Sequence, residues 1–191
     1  MSSALTQIAA LLIDATCGVL VYLALLRFLM QWRRASFYNP LGSFVLGLTD
    51  WAVRPIRRVV PISRGIDWST LLVALATEMV IVLARSHLHL IGSATELSPL
   101  AWVCVSLVWL ARDLLGLLIF LVIVDVLMSW LNPSTPVAPV VATIVRPFGQ
   151  AVRRFVQPIG GIDLAPWVLV VLLDIGMIAL GQIGLIVRQA L

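Results

Sequence analysis

Four stretches of this chain are apolar for long enough to cross a bilayer, and that feature decides what it can fold into. A span needs roughly 20 mostly apolar residues. The runs cover about residues 8–32, 68–91, 99–131 and 164–187. In lipid every backbone amide and carbonyl must be paired within the structure, so a spanning segment is either a helix or part of a closed barrel. Barrel strands alternate polar and apolar residues, and these runs do not. The expected fold is all-α: a polytopic membrane protein with four transmembrane helices. Composition agrees. Of 191 residues, 61% are hydrophobic and 12% charged, against roughly 25% charged in a soluble domain, and the mean hydropathy is +1.08. A soluble nucleic-acid-binding domain, a disordered tail and a disulfide-knit secreted domain are excluded. The first run holds Asp14 and has no basic stretch before it, so it is expected to be a retained span, not a cleaved signal. Cys17 and Cys104 lie inside runs and are expected to act as small apolar fillers.

The runs come in two matching pairs. "RRVVPISRGIDW" from Arg57 and "RRFVQPIGGIDL" from Arg153 align at a shift of 96, which also sets Glu78 on Asp174. Upstream, "RFLMQW" ending at Trp32 aligns with "DVLMSW" ending at Trp130 at a shift of 98, and each copy continues to Asn-Pro, at Asn39-Pro40 and Asn132-Pro133. The chain is an internal duplication, with a first repeat over 1–97 and a second over 98–191. Two spans per copy put both copies in the membrane the same way round, with the pseudo-two-fold axis along the membrane normal.

Charge distribution sets the expected orientation. All 13 basic residues are Arg. Nine fall in the loops between the spans of each copy: Arg33, Arg34, Arg54, Arg57, Arg58 and Arg64 in the first, and Arg146, Arg153 and Arg154 in the second. The positive-inside rule makes those loops cytoplasmic and both termini external. Trp32, Trp68, Trp130 and Trp167 then mark one interface as an aromatic belt. Within each loop, apolar residues recur at helical period: Leu41, Phe44, Val45, Leu48, Ala52 and Ile56 in one, Val137, Val140, Val141, Ile144, Phe148 and Val152 in the other. With Asn to cap and Pro at the first position, this predicts helices over about 40–60 and 133–156, either lying in the interface or dipping into the membrane. Pro55 and Pro147 are expected to end or kink them.

The order Trp32, Asn39-Pro40, Thr49-Asp50, Arg54-Pro55, Arg57-Arg58, Pro61, Gly65-Ile66-Asp67, repeated as Trp130, Asn132-Pro133, Arg146-Pro147, Arg153-Arg154, Pro158, Gly160-Gly161-Ile162-Asp163, resembles the YggT/YlmG family of small integral membrane proteins, in its duplicated bacterial form. Copy two departs in carrying Val145-Arg146 where copy one has Thr49-Asp50. The resemblance implies the bacterial inner membrane and no catalysed reaction. It implies a link to osmotic or ionic stress tolerance, or to organising and assembling other membrane components.

The candidate residues follow from cost. A charge inside the bilayer is expensive unless it faces protein or water. Glu78 and Asp174 lie 11 residues past Asp67 and Asp163, roughly 16 Å into a core of about 30 Å, and the two-fold axis is expected to set them facing each other. In the first helix of each copy the charges are swapped: Arg27 aligns with Asp125 and Asp14 with Arg112. Two inter-repeat ion pairs are expected, Arg27–Asp125 and Asp14–Arg112. Asp67 and Asp163 stand where a span begins and are expected to cap it, with Gly65 and Gly161 allowing the turn; pairing with a loop Arg is the rival role. Arg57-Arg58 and Arg153-Arg154 are expected to bind anionic headgroups or a partner. His87 and His89 point to different faces of a helix, so they are not expected to share a metal.

No nucleophile–base pair, metal-ligand spacing, Walker loop or dinucleotide fingerprint is present in the sequence, so no enzyme activity and no cofactor are expected. The leading function is an organising or assembly factor in the membrane. Rivals are an ion-permeation or osmotic-homeostasis protein using the intramembrane acids, and a lipid-binding protein, which needs a lateral apolar groove with basic contacts. Expected partners are anionic headgroups, a cytoplasmic or membrane protein, and further copies of the chain packed on Gly176, Gly181 and Gly184; nucleic acid is not expected.

Overall fold

A computed structural model describes residues 2–60, 65–88, 98–132, 134–156 and 163–190. Six helices follow one another in a long–short–long pattern given twice. They are α1 (Ser2–Trp32), α2 (Pro40–Arg57), α3 (Trp68–His87), α4 (Pro99–Leu131), α5 (Ala138–Arg153) and α6 (Ala165–Ala190). The fold is all-α. Helices α1, α3, α4 and α6 are each long and apolar enough to cross a membrane. α1 starts at Ser2, ahead of the expected 8, α3 ends at His87, short of the expected 91, and α4 runs over Pro99–Leu131.

Packing follows the duplication. α1 lies mainly against α3, and α4 mainly against α6, so each repeat closes on its own pair of spans. The repeats meet where α4 touches α3 and α1. The core runs through that junction, with Val21, Leu25 and Leu29 of α1 and Leu117, Leu121 and Val122 of α4 buried. α2 and α5 tuck their apolar stripes beneath it, through Val45 and Val53 in one and Val141 and Ile144 in the other. Both are amphipathic, as the loop periodicity predicts, but α2 has a second apolar face. Phe44, Leu48 and Trp51 are exposed beside its buried stripe.

The starts of the two short helices differ. Asn39 caps α2 as expected: its side chain accepts the Gly42 N–H at 2.9 Å, and Pro40 takes the first position. Gly42 is required there, because a Cβ would lie 2.5 Å from the Phe37 carbonyl oxygen. In copy two the expectation fails. Asn132 closes α4 by giving its N–H to the Met128 carbonyl, and α5 begins only at Ala138, behind Val137 and without a side-chain cap. Ser134 Oγ donates to Asn132 Oδ1, which uses the capping oxygen before a new helix can. Pro55 and Pro147 lie inside α2 and α5, which run on to Arg57 and Arg153. Pro133, Gly161, Arg64, His89 and the connection between repeats at 89–97 lie outside the described residues.

Candidate functional site: charges in and beside the membrane

Where the short helices turn back into the spans, each repeat carries an Arg–Asp link of ten residues. Arg57 donates to Asp67, and Arg153 donates to Asp163 at 2.8 Å from Nε, with Nη2 at 2.6 Å. Gly65, at φ +78, makes the first turn possible. Asp67 is 1% exposed. Burial works against its charge, but hydrogen bonds from Ser69 Oγ, Thr70 Oγ1 and Arg57 outweigh it and hold the carboxyl below the ordinary carboxylate range. Asp67 therefore serves the first turn of α3 through side-chain hydroxyls and an arginine; it makes no cap bond to the backbone. Asp163 does cap, accepting the Ala165 N–H at 2.9 Å. Slight desolvation opposes its charge, while that amide and Arg153 lower its pKa. Arg57 and Arg153 are thus committed to acids. Their neighbours Arg58 and Arg154 are exposed and form no ion pair among the described residues, as does Arg146.

The swapped charges of copy one pair within their own repeat, not across to copy two. Arg27, 1% exposed, donates from Nη1 to Thr49 Oγ1 at 2.7 Å and to Asp50 Oδ1 at 2.9 Å. Asp50 also takes Arg54 at 2.6 Å. The expected Arg27–Asp125 pair is absent. Asp125 instead shares a small cleft with Arg146 and Arg153. The duplication explains this. Position 50 of copy one is position 146 of copy two, so Arg27–Asp50 becomes Asp125 facing Arg146, with both signs reversed. Asp14 bonds Arg85, at 3.0 Å from Nε and 2.9 Å from Nη2, and not Arg112. Equal depth did not mean adjacency, because each first helix packs on its own repeat.

Glu78 and Asp174 also part company. Glu78 is 2% exposed and lines a cavity of about 200 Å³ with Asp14, Tyr22, Arg85, Trp109 and Asp113. Tyr22 donates to Asp113 at 3.4 Å, and Glu78 Oε2 is buried without a hydrogen-bond partner. Asp174, its counterpart, is exposed on α6 and makes no hydrogen bond or ion pair among the described residues. Sequence reasoning left out Arg85, Asp113 and Tyr22. Depth counting finds the first of these: Arg85 is 17 residues past Trp68 and Asp14 is 18 before Trp32, which puts them on one level. The three glycines of α6 are not a free face either. Added Cβ atoms at Gly176 and Gly184 would lie 3.1 Å from Leu115 and 3.3 Å from Val108, both on α4. Among the described residues no group of three or more His, Cys, Asp or Glu side chains is placed to hold a metal ion.

The family model described as CCB3/YggT matches residues 6–88 and again 104–184, one match for each repeat. The chain belongs to the CCB3/YggT family. Among bacterial YggT relatives, the protein named YggT of Escherichia coli K12 is 35% identical over 151 residues, covering 78% of this chain and 76% of that one. The Pseudomonas aeruginosa PAO1 protein PA0392 is 32% identical over 162 residues, 83% of this chain and 81% of its own. A Vibrio alginolyticus protein from the proC 3′ region is 30% identical over 174 residues, 90% of this chain and 92% of its own. No solved structure matches at a significant level. YggT membership and the four spans make this chain a multi-pass inner-membrane protein.

Proposed function

We propose that this chain is a non-enzymatic membrane factor that organises or helps to assemble other membrane components, holding them through the outward face of α6. The carrying observation is Asp174. It stands near mid-depth on a helix whose most apolar stretch has no residue buried inside the chain. A carboxylate left in hydrocarbon costs about 2.5–3.5 kcal/mol on insertion scales, and a partner that offers a hydrogen-bond donor there removes the cost. Two of the other intramembrane charges support a fixed first repeat: Arg27 and Asp14 are tied to Asp50 and Arg85. A photo-crosslinker at Val171, one turn from Asp174, tests the reading in native membranes. A reproducible integral-membrane partner, lost in Asp174→Leu, supports it; crosslinks to lipid alone overturn it.

One observation favours a second reading. The cavity lined by Asp14 and Glu78 also takes Trp109 and Asp113 from α4, and the free Glu78 oxygen suits a cation- or proton-handling site where the repeats meet. Cation flux in liposomes that is lost in Glu78→Gln supports this reading, and absence of flux from the intact protein removes it.

A further inference from the structure

The duplication leaves one charge without its counterpart. In copy one, Asp14 of α1 bonds Arg85 of α3. The shifts of 98 and 96 carry these positions to Arg112 of α4 and Gly181 of α6. Copy two keeps the helix contact, for Arg112 Cζ is 3.9 Å from a Cβ built on Gly181. It has the cation reversed onto the first helix and no anion on the second. Arg112 forms no ion pair among the described residues, its Nε is buried without a hydrogen-bond partner, and its guanidinium lies over the Trp109 ring, 4.7 Å from the centroid. Arg112 lines a lateral groove of about 360 Å³ between α4 and α6, together with Gln182, apolar side chains such as Val105, Val108, Ile178 and Leu185, and Gly181 and Gly184.

We infer that this groove binds a membrane phospholipid, with the phosphate oxygens on the Arg112 guanidinium and an acyl chain running inward past Ile178 of α6. Depth fits the assignment. Arg112 is 18 residues from Trp130, about 27 Å along the helix, in the far part of a core of about 30 Å and within reach of the phosphates by snorkelling. Chemistry fits it as well. A guanidinium takes a phosphate through two parallel N–H donors, and the missing side chain of Gly181 leaves the approach open. The anion that copy one supplies from its own chain is supplied in copy two by the bilayer.

Native mass spectrometry of the full chain, released from nanodiscs of phosphatidylglycerol and phosphatidylethanolamine, tests this. The intact protein is expected to retain one phospholipid. Arg112→Gln is expected to weaken that retention roughly tenfold, the size of a lost charge-assisted contact. Gly181→Asp supplies an anion in cis, so it is expected to displace the lipid while raising or keeping thermal stability, which separates loss of the site from loss of the fold. A protein that carries no lipid, or equal occupancy in all three forms, overturns the inference. So does a crosslinker at Leu185 that captures a protein helix in place of lipid.

Discussion

Arg57 and Asp67 form the same ten-residue link as Arg153 and Asp163, but the first acid is sealed from solvent and the second is not. The exposures are 1% for Asp67 and 38% for Asp163. A link repeated by duplication has therefore become two interactions of different strength.

Removing the acid of the buried link is expected to cost far more than removing the exposed one. Asp67→Asn strands Arg57 and two hydroxyls, and breaking a buried pair costs about 3 kcal/mol or more. Asp163→Asn loses a half-exposed pair worth about 1 kcal/mol or less. Thermal unfolding of both variants in detergent gives the ranking, and equal losses would contradict it.

Acid should act through the same residue. The folded-state pKa of Asp67 lies below its ordinary value of 3.8. Its contribution is then complete above that pH and is lost as pH falls through the ordinary value toward the lowered one. A pH series of unfolding temperature should show an acid limb in the intact protein that shrinks in Asp67→Asn.

A double-mutant cycle separates the two pairings available to Arg27. Arg27→Met with Asp50→Leu should show coupling of about 1–2 kcal/mol, because Asp50→Leu leaves the buried Arg27 without its acid, while Asp50 keeps Arg54 when Arg27 is changed. Arg27→Met with Asp125→Leu should add within about 0.5 kcal/mol. Coupling in the second cycle and none in the first would restore the inter-repeat pairing.

The glycines of α6 give a steric test. Gly176→Leu forces a side chain against Leu115 and should destabilise by about 1–3 kcal/mol. Gly47→Ala in α2 meets nothing within 4 Å and should stabilise by up to about 1 kcal/mol through helix propensity. Unfolding temperatures moving in opposite directions are the expected result.

Orientation is open to chemical labelling. In a background lacking Cys17 and Cys104, Thr95→Cys should react with an impermeant thiol reagent added outside intact cells, and Val60→Cys only after permeabilisation. The reverse pattern would invert the topology that the Arg-rich loops predict.

The spans were legible because length and hydropathy fix them almost without competition, and the repeat because Gly-Ile-Asp and Arg-Arg recur at one offset. Pairing was less legible. Arg27 and Asp125 are at equal depth, but depth is one coordinate, and the packing of α1 on its own repeat decided the partner. Asp50 is hard to find because helical period sets it opposite the apolar stripe of its helix, whereas α2 turns Thr49 inward and brings Asp50 to Arg27. The start of α5 was missed because Asn132 reads alike as the end of one helix or the start of another. The fates of Glu78 and Asp174 differ because α3 is packed between two other spans, α1 and α4, while α6 meets only one, α4, with α5 at its side; nothing in either residue's own neighbourhood announces that.

The ion pairs of the first repeat have a bearing on how the chain is made. Asp14 with Arg85, Arg27 with Asp50 and Arg57 with Asp67 all close before residue 88. A ribosome delivers the N-terminal half first, and these charges find their partners without waiting for the second half to emerge. Among the described residues Glu78 gains no ion pair from either half, and the cavity it lines is completed only when Trp109 and Asp113 arrive with α4. These three ion pairs of the first half thus form in the order of synthesis, while the cavity around Glu78 is closed only by the second half.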